Sequence, residues 1–238
     1  MKITTKPAAN RGTSNLGWLK SQHSFSFGDY YDAKNRGFET LRVINDDRVA
    51  PGAGFGEHPH QNMEIISYVL SGTLAHKDSL GHKEAIQAGD VQRISAGSGI
   101  THSEYNHSAD EEVHFLQIWF LPKTQNIKPS YEQKHFSAET KRGCLTLIAS
   151  ELGRDGSMTL NQDVDMLAGL IHGHEAVKYP LTQGRKAWVQ IARGSVSMND
   201  IALQAGDGAT IENITNPEEL IFTQGDDAEV LIFDMKPA

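Results

Sequence analysis

Short runs in which apolar and polar residues alternate dominate this chain, and long stripes spaced three and four apart are scarce. Residues 64–70, 113–120, 187–192 and 228–233 read as strands rich in β-branched and aromatic residues, bounded by glycine turns. The tetrapeptide Gln87-Ala88-Gly89-Asp90 recurs as Gln204-Ala205-Gly206-Asp207. A glycine turn precedes each copy, Ser71-Gly72-Thr73-Leu74 in one half and Arg193-Gly194-Ser195-Val196 in the other. Such Gly-Asp pairs predict hairpin turns. The repeat predicts an all-β chain of two related, packed barrels, and the segment between Pro122 and Pro129 reads as the crossover. The boundary is placed near residue 130, giving an N-terminal unit 1–130 and a C-terminal unit 131–238.

Chemistry concentrates in the first half. His58 and His60 lie two apart and so share one face of a strand, as do His102 and Glu104. Imidazole and carboxylate together suit Fe, Ni, Cu, Mn or Zn, and no cysteine partner is at hand for a thiolate site. A mononuclear centre with three nitrogens and one oxygen is the expected arrangement. Glu64 shares the parity of His58 and His60, so spacing alone leaves two candidates for the carboxylate. Pro59 has no N–H to give a ladder and predicts a sheet edge or a bulge.

Other histidines carry blander expectations. His76, His82 and His107 lie in turn-rich or charged surroundings and are expected at the surface, and His114 is expected to be packed or hydrogen-bonded in its strand. His172-Gly173-His174 repeats the spacing of the first pair but lacks a downstream partner cluster, so a loop pair is expected. His23 could adjoin the site or sit in a half-buried strand. Gln117 and Trp119 share a face, and either could line a pocket, although core packing is the first expectation.

Composition narrows the class. Of 238 residues 38% are hydrophobic, enough for real cores, and 22 glycines suit many tight turns. A formal charge of −8 argues against a surface that tracks phosphates, so no direct nucleic-acid contact is expected. A lone cysteine, Cys144, fits a reducing compartment. With no apolar leader and no membrane-length run, a cytoplasmic monomer with no membrane contact is expected.

The spacing G-x5-H-x-H-x3-E from Gly52 to Glu64, with the later Gly97-Ser98-Gly99-Ile100-Thr101-His102-Ser103-Glu104, resembles the two motifs of the cupin superfamily. More narrowly, the chain resembles the pirin family and its bacterial members with quercetin 2,3-dioxygenase activity. Carrying that resemblance are Arg11-Gly12, Gly17-Trp18-Leu19, His23-Ser24-Phe25-Ser26-Phe27, Leu41-Arg42-Val43-Ile44-Asn45-Asp46-Asp47, His58-Pro59-His60 and Gln117-Ile118-Trp119. Glu64 stands one residue farther from Gly72 than in many cupins, and Ser95 replaces a usual proline.

The resemblance implies a bicupin whose first barrel binds one divalent transition metal through His58, His60, His102 and Glu104. Fe(II) is the first expectation, with Ni, Cu, Mn or Zn permitted. Glu64 then becomes a strand residue behind the site. The implied reaction opens flavonols such as quercetin with O2 and releases CO, Glu104 acting also as general base. The alternative is a metal-binding regulator, since animal members act as transcription cofactors. Counting from the Gly72/Gly194 equivalence puts Pro180, Thr182 and Lys186 at the ligand positions of the second barrel, which is expected to lack metal.

Overall fold

The structure, a computed structural model, describes residues 1–237. Strands dominate, and the only α-helix among the described residues is the single turn α1 (Ala138–Lys141). The first strands are β1 (Lys2–Lys6), β2 (Gly12–Asn15), β3 (Leu19–His23), β4 (Leu41–Val49), β5 (Gly54–His60) and β6 (Glu64–Ser71). Next come β7 (Thr73–Asp78), β8 (Lys83–Gln87), β9 (Asp90–Ser95), β10 (Ile100–Asn106), β11 (Val113–Phe120) and β12 (Ser130–His135). The later strands are β13 (Leu145–Ser150), β14 (Met158–Thr159), β15 (Val164–Gly173), β16 (Val177–Leu181), β17 (Lys186–Met198), β18 (Ile201–Gln204), β19 (Gly208–Glu212) and β20 (Glu218–Met235). No helix among these residues is long and apolar enough to cross a membrane.

Two compact units emerge. One comprises residues 11–135 with 160–162, the other residues 1–10, 136–159 and 163–237. The chain therefore changes unit just after β12, which pairs with β9, rather than near residue 130. The first ten residues join the later unit because β1 pairs with β19 along Lys2–Lys6. A contact across two hundred residues leaves no local signal in the sequence.

The later unit is a nine-stranded sheet with the order β1-β19-β17-β20-β15-β13-β14, to which β16 and β18 add. Its core gathers Val189, Ile191, Phe222, Val230, Ile232 and their neighbours.

The first unit has a seven-stranded sheet, β12-β9-β6-β11-β4-β3-β2, and a four-stranded sheet, β5-β10-β7-β8. Hydrogen bonding closes neither into a barrel. β6 is buried over its first seven residues because it lies between β9 and β11 with the other sheet over its inner face, which explains its nearly unbroken apolar run.

Inward positions of β11 read Phe115, Gln117 and Trp119. Phe115 joins Leu19, Val49, Val69, Leu74 and Ile86 in one apolar cluster. Trp119 packs on a second, made of Ile65, Ile94, Ala96 and Ile100. Between the two clusters runs a polar row across the sheet, His23↔Asn45↔Gln117↔Ser67↔Gln92, each pair directly opposite. That row positions the site.

The repeated Gly-Asp turns are corners, not the hairpins expected. β8 pairs with β7 and β9 with β6, so the turn at Gly89 (φ 92°) carries the chain from one sheet to the other. In the later unit β18 pairs with Ser195–Met198 of β17 and β19 with Ala187–Gln190, so the turn at Gly206 (φ 87°) leads from one stretch of β17 to the other within a single sheet. The aspartate fixes each corner identically: Asp90 Oδ2 accepts from the Gln87 N–H and Asp207 Oδ2 from the Gln204 N–H, both at 3.0 Å.

Candidate metal centre

β5 is the edge of the four-stranded sheet, which is where Pro59 does no harm. Against β10 its register sets His58 opposite His102 and His60 opposite Ile100, then slips so that Phe55 faces Glu104. This bulge is the local irregularity that Pro59 foreshadowed. Gly54 lets the two strands close up, for a Cβ there would lie 2.3 Å from the Glu104 carbonyl oxygen and 2.5 Å from Tyr105 Cα.

The three imidazoles converge. Ring centroids are 4.8 Å apart for His58 and His60, 4.5 Å for His58 and His102, and 4.9 Å for His60 and His102. One nitrogen from each lies within 4.8 Å of the others. His58 Nδ1 is 2.7 Å from the Gly56 carbonyl, so it carries the proton and leaves Nε2 as a lone-pair donor. His102 is buried, and neither of its nitrogens has a hydrogen-bond partner. Burial, reinforced by His58, lowers the His60 pKa to about 4. Burial and the neighbouring imidazoles His58, His60 and His76 lower His102 to about 3. Both rings are therefore neutral, the form that ligates.

Glu104 points from β10 onto the polar row. Gln117 Nε2 donates to its Oε2 at 2.8 Å, and Ser67 Oγ lies 3.1 Å from its Oε1. Burial raises its pKa to about 7, with the Asp47 charge adding and the bonds from Ser67 and Gln117 opposing. Gln117, read from sequence as core, is thus a support for the carboxylate.

His76 corrects a second expectation. Instead of lying at the surface it is buried, opposite Glu104 on β7, with its ring centroid 5.4 Å from that of His102. Its Nε2 sits 3.2 Å from Asp78 Oδ2, which His82 Nδ1 also approaches at 2.9 Å, and Tyr131 stacks on both rings. His76, His102 and Glu104 form a second set of donor atoms within 4.8 Å of one another. The signal was present, because Leu74, His76 and Asp78 share the inward parity of β7. His82 is half-buried and His107 exposed.

The remaining candidates lie elsewhere. Glu64 is buried but accepts from Ser95 Oγ at 2.7 Å and from the Asn161 N–H at 3.1 Å, outside both donor sets. The serine in the usual proline position thus serves that glutamate. His114 Nε2 lies 2.6 Å from Asp46 Oδ1. In the later unit His172 and His174 are exposed, His172 beside Asp227 at 3.0 Å. Pro180 lies in β16, Thr182 is exposed and Lys186 Nζ is 3.7 Å from Glu212. Among the described residues that unit presents no cluster able to hold a metal.

His58, His60 and Glu104 open on a cavity of about 350 Å³ between the two sheets of the first unit. Its apolar walls include Leu19, Phe27, Phe55 and Trp119, and its polar wall His23, Asn45 and Asp47. His23 Nδ1 is 2.7 Å from Asn45 Oδ1 and its Nε2 is 2.8 Å from Ser14 Oγ, while burial lowers its pKa. It is a neutral, fixed wall residue.

Comparison with known proteins places the chain in a class. Residues 4–120 match the pirin family and residues 147–235 the quercetinase C-terminal cupin domain. The chain belongs to the pirin family and is a bicupin of all-β architecture. It is 43% identical over 236 residues to quercetin 2,3-dioxygenase of Escherichia coli K12, covering 99% of each chain. It is 39% identical to a pirin-like protein of Caulobacter vibrioides, covering 98% of this chain and 99% of the relative. The crystal structure of the bacterial pirin YhhW from Escherichia coli in complex with nickel(II) superposes with a TM-score of 0.92 at 41% identity, each chain fully covered.

Proposed function

We propose that this protein is a metal-dependent quercetin 2,3-dioxygenase, which opens flavonol-like substrates with O2 and releases CO. The observation that carries the reading is the convergence of His58, His60 and His102 on a ring-sized cavity, with the buried Glu104 carboxylate, held by Ser67 and Gln117, in donor reach of His102.

The residues fit a divalent metal. His102 is a buried imidazole with both nitrogens unpartnered, and a native interior does not leave such a group without a partner. The three imidazoles are close enough to share an ion, and each Glu104 oxygen keeps a lone pair beyond its present hydrogen bond. We assign His58, His60, His102 and Glu104 as the ligands and Fe(II) as the first ion. Ni, Cu, Mn and Zn suit the same donors. A relative of the same fold crystallised in complex with nickel(II), which supports a divalent ion for this chain. A bound ion would supply Lewis acidity that lowers the pKa of a flavonol hydroxyl.

The chain's own residues do the rest. Phe27, Phe55 and Trp119 line a slot for a flat aromatic ligand and keep water from it. The Glu104 carboxylate lines the cavity and is the group placed to take the 3-hydroxyl proton. Gln117 and Ser67 hold it in place as it does so.

The test is anaerobic purification, reconstitution with each metal in turn, and measurement of O2 uptake and CO release with quercetin. Turnover with kcat/KM above about 10⁴ M⁻¹s⁻¹ in at least one metal form is expected of an ordinary enzyme. Slower turnover in every form would favour the regulatory reading.

A further inference from the structure

Asp47 lies on the cavity wall, and the metal assignment does not use it. On β4 it stands opposite Ser21 of β3 and Phe115 of β11, with the same inward parity as Asn45. Only 3% of it is exposed, and its Oδ1 has no hydrogen-bond partner. Ser21 donates to the carboxyl from one flank. The other flank is the hydrocarbon of Phe115, and the adjacent Asp46 engages His114 and Arg11 instead. Asp47 lines the cavity together with Ser21 and Asn45.

A buried carboxylate oxygen without a donor implies a missing donor group. Burial raises this carboxyl to about 7, the Ser21 bond working against the shift and the Asp46 charge adding to it. The unpartnered Oδ1 is the atom open to a hydrogen-bond donor. Trp119 Nε1 is also buried without a partner, on a residue of the same cavity. A wall with one orphan acceptor and one orphan donor complements an aromatic ligand that carries both a hydroxyl and a carbonyl oxygen.

We propose that Asp47, supported by Ser21, is a specificity-determining residue that accepts a hydrogen bond from a ring hydroxyl of a polyhydroxylated flavonol. It is remote in sequence from the four assigned metal ligands. This inference rests on the flavonol reading and adds which flavonols the site prefers.

The experiment compares quercetin with 3-hydroxyflavone, which keeps the 3-hydroxyl and carbonyl but lacks the outer-ring hydroxyls. Binding to metal-loaded protein is measured anaerobically by titration calorimetry, so that no turnover intervenes. Wild type is expected to bind quercetin at least about tenfold more tightly, the scale of one hydrogen bond to a charged group. Asp47→Ala should abolish that preference by weakening quercetin alone, and the near-isosteric Asp47→Asn, which keeps an acceptor, should fall between. Equal weakening of both ligands in Asp47→Ala and Asp47→Asn would make the residue merely structural and overturn the proposal. An unchanged quercetin affinity in both variants would mean that a resident water is the donor, and would overturn it too. If wild type binds neither flavonol, the flavonol reading itself fails and the subsite falls with it.

Discussion

Gln117 Nε2 donates to Glu104 Oε2 across 2.8 Å, joining the middle of β11 in one sheet to β10 in the other. The bond ties the carboxylate to a row of polar side chains flanked by two apolar clusters. Rigid hydrocarbon on either side fixes where Glu104 can point.

Removing that donor should therefore cost function before it costs fold. Gln117→Leu is expected to lower flavonol turnover or metal affinity by about 10- to 100-fold, the range for losing a group that orients a ligand. Glu104→Gln keeps the shape and one oxygen, but it cannot accept the substrate proton. It should retain measurable metal and lose turnover by at least about a hundredfold. Glu64→Gln is the control, expected to stay near wild type because Glu64 engages Ser95 and Asn161. Steady-state O2 uptake beside metal per chain separates the three.

Metal content should follow the first unit alone. His58→Ala or His102→Ala should remove most of about one ion per chain. His174→Ala and Thr182→Ala should leave metal and activity unchanged, since both residues are exposed in the later unit. Elemental analysis decides, and equal loss from His174→Ala would relocate the site.

The pH dependence of metal uptake has a sign set by Glu104. A ligand must be deprotonated to bind, and this carboxyl sits at about 7 in the metal-free protein. Apparent affinity should rise about tenfold per pH unit as pH approaches 7, then level off. His60 at about 4 and His102 at about 3 are already neutral in that window and compete little with the ion. Chelator-competition titrations between pH 5.5 and 8.5 measure the slope, and in Glu104→Gln it should flatten.

Gly54 offers a steric test of the bulge. Gly54→Ala places a methyl against the Glu104 carbonyl and Tyr105 Cα, which β5 can relieve only by leaving β10. Overpacking of this kind costs about 1–3 kcal/mol, so a lowered midpoint in urea with weakened metal binding is expected.

Much of this was legible in the sequence. The runs at 64–70 and 113–120 became β6 and β11, and the two-residue spacings of His58/His60 and His102/Glu104 gave the convergence of the imidazoles. What escaped has physical reasons. A Gly-Asp corner between strands that do not pair with each other has the same local signature as one that closes a hairpin, because the aspartate bonds only three residues back. β1 pairs with residues some two hundred positions later, which no periodicity records. Gln117 and Ser67 stand as polar residues within otherwise apolar strands. Their meaning exists only once β11, β6 and β10 bring them within hydrogen-bond reach of Glu104. His76 was misjudged from the charged residues around it, although its parity with Leu74 pointed inward.

The most direct measurement is anomalous diffraction from crystals loaded with Fe(II) or Ni(II) under anaerobic conditions. One peak per chain is expected, with His58, His60 and His102 nitrogens and a Glu104 oxygen each at about 2.0–2.2 Å. A peak held by His76, His102 and Glu104, with His58 and His60 free, or one bound to Glu64, would contradict the ligand assignment.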